Sequence, residues 1–157
     1  MSMDPTDYTR GDIANRTDIA ALLRDFYGRA CRDDLLGPVF VDVAHLDIDA
    51  HLPVMCDFWE TVLFRAGTYR GNALRPHQRL HTQAKLTPAH FARWLTLWRA
   101  TLDDRHCGPN AEQAKVQAAR IAGAMSRRIT GQVPLVADVR GLPSPDTADG
   151  EARISAG

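Results

Sequence analysis

A chain of 157 residues can bury one hydrophobic core but hardly two, so we expect a single domain with one site. Its 19 basic and 19 acidic residues give a formal net charge of zero, and this balance argues against nucleic acid or an anionic membrane as a partner. The first residues carry acids and no apolar run, no stretch is apolar enough to span a bilayer, and the three cysteines form no C-x-x-C pair, so we expect a cytoplasmic protein with reduced thiols.

The first predicted element is an amphipathic helix that follows a polar arm. Residues 1–15 contain Pro5 and Gly11 and show no hydrophobic period, which predicts a flexible N-terminal arm. From Thr17, a predicted N-cap, to Cys31, apolar residues recur at spacings of three and four. They are Leu22, Leu23, Phe26, Tyr27 and Ala30. The buried side of this helix therefore includes a tyrosine.

The second long helix is predicted to begin at Asp47 or Asp49, either of which can cap it. The stretch before it is interrupted by Gly37 and Pro38, and this indicates short turns that bring Phe40 to the interior. One face of the helix starts with a histidine and continues apolar. Its members are His51, Met55, Phe58 and Val62.

A short segment and a third long helix follow. Residues 73–81 are predicted to be helical for about two turns, interrupted by Pro76 and closed by His81. Thr87 followed by Pro88 is typical of a helix start, with a cap before a proline at the first helical position. The apolar stripe of this third helix consists of Phe91, Trp94, Leu95, Trp98 and Leu102.

The last helix is predicted to be capped by Asn110 and to end at Gly131. Its apolar stripe includes two alanines and consists of Ala114, Ala118, Ile121, Met125 and Ile129. Residues 132–157 are rich in small, polar and turn-forming residues, which predicts a disordered tail. Four long amphipathic helices with short links indicate an all-α domain.

Six histidines raise the question of a metal site, although a single histidine is more often a surface or core residue. His77 and His81 are four residues apart and could share a helical face, but zinc would need a third ligand and none lies at a useful local spacing. Haem explains more of the pattern, because its iron needs one imidazole, an apolar slot and a few hydrogen-bond donors opposite. The candidate imidazole is His81, and Met55, Phe58 and Phe91 are candidates for the apolar slot. The candidate donors are the polar tips of Tyr27, His51 and Trp94.

Several short motifs also occur in a fixed order along the chain. They are FY at 26–27, Phe40, HLPVMCDFW at 51–59, TYRGN at 68–72, and H-x4-L-T-x2-HF-x2-W at 81–94. In this combination the chain resembles the truncated haemoglobins, and more narrowly their third group, over residues 17 to 130. The resemblance implies a truncated globin domain at 16–131, folded as a two-over-two α-helical sandwich around haem b (iron protoporphyrin IX).

The resemblance also implies roles for single residues. His81 matches the iron ligand. Tyr27 and His51 match the distal tyrosine and histidine, and Trp94 matches the indole that faces the bound ligand. Positions against the porphyrin are matched by Phe40, Met55, Phe58 and Phe91, and contacts to its propionates by Tyr69, His77 and Arg79.

Such a site would bind O2, NO or another diatomic ligand. Donors from Tyr27 and Trp94 would each stabilise the ligand by about 1 to 2 kcal/mol, which slows its release by about a hundredfold or more in total. This favours ligand capture, NO dioxygenation, nitrite reduction or peroxide chemistry over O2 transport. The redox reactions would need a separate reductase, since the chain has no flavin or nicotinamide motif. The residues alone leave one alternative open, a haem-free helical interaction domain whose aromatic stripes are simply core.

Overall fold

Every regular element in the described part of the chain, residues 10–67, 69, 71 and 74–132, is a helix in this computed structural model. The elements are α1 (Arg16–Arg32), a π-helical turn (Pro38–Val43), α2 (Ile48–Phe64), α3 (Leu74–Ala84), α4 (Pro88–Arg105) and α5 (Pro109–Thr130). The all-α prediction is therefore confirmed. The predicted disordered tail lies outside the described residues, apart from Gln132.

Local capping signals predicted the starts of two long helices correctly, and placed the start of a third two residues too far along the chain. Asp47 caps α2, and Pro88 opens α4 directly after its cap, as predicted. The predicted cap of α1, Thr17, is wrong. Asn15 takes this role because its side chain accepts the backbone N–H three residues further on, at 3.0 Å.

The start of α5 is capped by a residue far away in the sequence. The helix begins at Pro109, so Asn110 lies inside it and is not the cap. The carboxylate of Asp12 accepts the backbone N–H groups of Asn110 and Ala111, each at 2.9 Å, and the neighbouring Ile13 is completely buried. Part of the stretch that was expected to be a flexible arm is therefore fixed to the start of α5.

Helix α3 is longer than predicted. It has 11 residues, and Pro76 is its third, where a backbone N–H would have no partner within the helix. The proline is consequently part of the first turn and does not interrupt the helix. His81 lies three residues before the end at Ala84 and does not close the segment.

The long helices form two packed pairs, α1 with α2 and α4 with α5. The pairs are stacked on each other through contacts of α1 with α4 and of α2 with α5, which is the two-over-two arrangement. Buried alanines on α5 let α4 approach it closely; they are Ala111, Ala114, Ala118, Ala119 and Ala122. Helix α3 stands apart, since among the described residues its backbone approaches only α5 and the π turn.

Candidate functional site

A cavity of about 450 Å³ lies between α2 and α3, with further walls from the π turn, α1, α4 and α5. This is within the usual range for a ligand or cofactor site. Most of the lining side chains are apolar, and none of the described ones is acidic. The titratable residues on the wall include Arg79 and the histidines His51, His77 and His90. The cavity thus suits a bulky apolar group that carries negative charge at its edge.

One wall holds a hydrogen-bonded pair, Tyr27 on α1 and His51 on α2. The Tyr27 hydroxyl lies 3.0 Å from His51 Nε2, and Tyr27 is only 6% exposed. Burial raises the pKa of Tyr27, so its phenol keeps its proton at neutral pH. Burial and, to a smaller extent, the charge of His77 lower the pKa of His51, so its ring is neutral there. The histidine tautomer therefore decides which of the two groups donates.

Trp94 on α4 belongs to the same wall. Its ring is stacked on Trp98, with centroids 5.8 Å apart and planes 8° from parallel, and meets Phe26 edge to face at 5.6 Å. Such contacts on two sides restrict the rotation of the indole. Its position at the cavity is therefore fixed by the core behind it.

All four predicted apolar wall residues reach the cavity, whereas one of the three residues predicted to contact the propionates does not. Those that line it are Phe40, Met55, Phe58 and Phe91. Tyr69 is not among the lining residues, since its ring packs against Phe58 at 5.1 Å and its backbone N–H donates to Thr61 Oγ1 at 3.1 Å. Tyr69 supports the wall from behind.

The opposite wall is the inner side of α3, and it presents His77 where the sequence analysis expected His81. Pro76, His77, Arg79 and Leu80 line the cavity, but His81 does not. Residues four apart lie on the same side of a helix, offset by about 40°, yet only His77 of the two reaches the cavity lining. The Nδ1 atom of His81 is buried without a hydrogen-bond partner.

Sequence reasoning missed His90 as a residue of the cavity wall. It is the third residue of α4, and its Nδ1 accepts the backbone N–H of Thr87 at 3.0 Å, so in the neutral ring the hydrogen is on Nε2. Burial lowers its pKa. The HF pair at 90–91 was noticed as part of a motif, but only the direction of α4 shows that the ring reaches the cavity.

The residues present fit a haem. One wall carries an imidazole and the other carries hydrogen-bond donors, aromatic and aliphatic side chains line the space between, and Arg79 offers a cation for carboxylates. The described side chains of α3 are all exposed or only partly buried, so a flat apolar group between α3 and α2 would cover them. Within the described residues, no cluster of three or more acidic, histidine or cysteine side chains could hold a bare metal ion.

The fold is similar to that of a group III truncated hemoglobin from Campylobacter jejuni, known from its crystal structure. The TM-score is 0.67 at 23% sequence identity, and the match covers 77% of this chain and 95% of the other. No family model and no curated protein sequence matches the chain. The comparison confirms the predicted truncated globin fold. In the part of the chain that the structure describes, no helix is long and apolar enough to cross a membrane.

Proposed function

We propose that this chain is a haem protein that binds diatomic ligands such as O2 and NO. The observation that carries the proposal is the apolar cavity with His51 and His77 on opposite walls, formed by helices α2 and α3, which do not approach each other in the described structure. A haem-free helical domain would be expected to close such a space, because protein interiors pack at crystal-like density and large internal voids are costly. The similarity in fold to a protein named as a hemoglobin supports the same conclusion.

We propose His77 as the iron ligand in place of His81, the residue that the sequence motif implies. His77 lines the cavity and His81 does not. Haem iron requires one imidazole ligand, and a histidine on the α3 wall can supply it.

The cofactor that we propose is haem b, held without a covalent bond. The sequence has no C-x-x-C-H motif for thioether attachment. Arg79 on the wall can pair with a propionate carboxylate, and the apolar walls would contact the porphyrin ring. Tyr69 has no part in holding the propionates in this proposal, since it lies behind Phe58.

When bound, the haem supplies an iron atom that can coordinate a diatomic ligand. The residues of the chain then decide how long the ligand stays. If His51 Nε2 donates to the Tyr27 oxygen across their 3.0 Å contact, the phenol hydrogen is free to point at the ligand. The Trp94 indole, fixed at the same wall, offers a second donor. His51 thus acts through Tyr27, which its hydrogen bond orients.

Two donors of about 1 to 2 kcal/mol each would make ligand release slow. This supports capture or chemical conversion of the ligand, namely NO dioxygenation, nitrite reduction or peroxide chemistry, over transport of O2. Continued turnover would need electrons from a separate reductase. We place this activity in the cytoplasm, where reductants are available and where free cysteines such as Cys56 stay reduced.

Absorption spectroscopy of two matched variants tests the proposal. The purified protein should bind haem and show a Soret band; His77→Ala should lose the band of the imidazole-ligated form and recover it with added imidazole, whereas His81→Ala should keep it. The opposite result would restore His81 as the ligand. A protein that stays colourless after expression with ample haem would show that the haem proposal is wrong.

A further inference from the structure

Three tryptophans form one continuous stack along the cavity wall, and we call Trp59, Trp98 and Trp94 the indole stack. Trp98 is in the middle. Its ring is 4.6 Å from that of Trp59, with the planes 20° apart, and 5.8 Å from that of Trp94, with the planes 8° apart. All three line the cavity, and two helices, α2 and α4, contribute to the stack. Near-parallel rings at these distances can exchange electrons directly.

The surroundings of Trp98 favour the loss of an electron from this ring over its loss from Trp59 or Trp94. An indole that has lost an electron is a cation, and Trp98 has an aromatic face on each side, the arrangement that attracts a cation. It is 1% exposed, so water cannot easily attack the oxidised ring. Its Nε1–H donates to the carbonyl oxygen of Ala114 at 3.2 Å, a group too weakly basic to remove the proton.

We propose that the indole stack is a one-electron donor site, in which an oxidant in the cavity takes an electron from Trp94 and the electron vacancy comes to rest on Trp98. The site thereby holds one oxidising equivalent inside the protein. The oxidant class is a peroxide reduced at the haem, so the inference rests on the proposed function. It adds to that function a residue that stores the oxidising equivalent, away from the ligand-binding position.

The electrons and protons of this reaction balance. Reduction of hydrogen peroxide to two water molecules breaks the O–O bond and consumes two electrons and two protons. One electron would come from the indole stack and the other from the haem iron, and solvent would supply both protons. No covalent bond of an indole breaks, and an external reductant that returns two electrons, one to the stack and one to the iron, restores both donors.

Tyr27 is the competing electron donor, because a phenol with a base in contact can lose an electron and a proton together. Its hydroxyl is 3.0 Å from His51 Nε2. In the arrangement proposed above, His51 Nε2 carries the hydrogen that it donates to the Tyr27 oxygen across this contact, so this nitrogen cannot accept the phenol proton. Oxidation of Tyr27 is therefore disfavoured compared with that of Trp98, which keeps its proton.

Freeze-quench electron paramagnetic resonance tests the inference on the haem-loaded full chain after one equivalent of hydrogen peroxide. The radical signal should change in shape when the protein is made with ring-deuterated tryptophan and stay unchanged with ring-deuterated tyrosine. This measurement needs no variant. A signal that responds only to the tyrosine label would overturn the inference.

Substitution then locates the electron vacancy within the stack. Trp98→Phe should lower the tryptophan radical yield about tenfold, equivalent to 1.4 kcal/mol, while Leu95→Val, a loss of volume at a buried position of the same helix, should leave it unchanged. Equal yields in the wild type and in folded Trp98→Phe would overturn the assignment. The Soret band is recorded first: full haem with no tryptophan radical rejects this inference alone, whereas absence of haem rejects the proposed function and this inference with it.

Discussion

Replacement of Tyr27 by phenylalanine removes one oxygen atom from the cavity wall and leaves the aromatic ring in place. The hydroxyl is 3.0 Å from His51 Nε2, and the residue is 6% exposed, so water competes little for its hydrogen bonds. A donor in such a place stabilises a partly charged ligand by about 1 to 2 kcal/mol. Since 1.4 kcal/mol is a factor of ten, the variant should release O2 about 5 to 30 times faster than the wild type.

The rate can be measured by stopped-flow displacement of O2 with carbon monoxide from the reduced protein. Tyr69→Phe is the matched control, because it removes the same atom from a tyrosine that packs behind Phe58 and does not line the cavity. We expect its rate to stay within about twofold of the wild type, which corresponds to less than about 0.5 kcal/mol. A Tyr27→Phe rate within that same margin would refute the role of the phenol as a donor to the ligand.

Three further predictions concern the same site and the start of α5. Trp94→Phe should keep the packing against Trp98 but release O2 roughly tenfold faster, and an unchanged rate would exclude the indole as a donor. Burial lowers the pKa of His51, so the unfolded chain binds the proton more tightly than the folded chain. The free energy of unfolding should therefore fall as the pH drops below 6.5, by at most about 1.4 kcal/mol per pH unit from this residue. Denaturation experiments on His51→Gln should show a weaker dependence of the free energy of unfolding on pH. Asp12→Ala should lower the free energy of unfolding by about 1 to 2 kcal/mol, since two backbone N–H groups of α5 lose their acceptor, whereas exposed Asp34→Ala should change it by less than about 0.5 kcal/mol.

The sequence predicted those features of the fold that depend on neighbours along the chain. Hydrophobic periodicity located the four long helices, and Asp47 and Pro88 marked two of their starts correctly. The start of α5 could not be found in this way, because the acceptor that satisfies its first N–H groups is Asp12, 98 residues before Asn110. A contact of that range leaves no local pattern. Asn110, which has the right side chain for a cap, was therefore assigned that role incorrectly.

The sequence predicted which residues belong to the candidate site better than it predicted how they are arranged. Tyr27, His51 and Trp94 line one cavity, as the motifs that contain them implied. The motif favoured His81 over His77 by its distance along the chain from Trp94. That distance does not show which residues of α3 face the cavity. Two histidines separated by one turn satisfy almost the same sequence pattern. Only the packing of α3 against α5 and the π turn determines which of them reaches the cavity.

The position of α3 explains how the domain can hold a cofactor and still keep its two packed helix pairs. A cofactor between α2 and α3 has to be inserted without breaking the pairs α1–α2 and α4–α5, whose contacts supply most of the buried side chains. Because α3 is held by the π turn and α5 and by neither α1 nor α2 in the described structure, it can carry one wall of the cavity without belonging to those pairs. Its own side chains are at most partly buried, so contacts with the porphyrin would stabilise α3 more than any other helix. Haem would thus be a structural part of the domain as well as its reactive group, since a ligand bound only by the folded state stabilises that state.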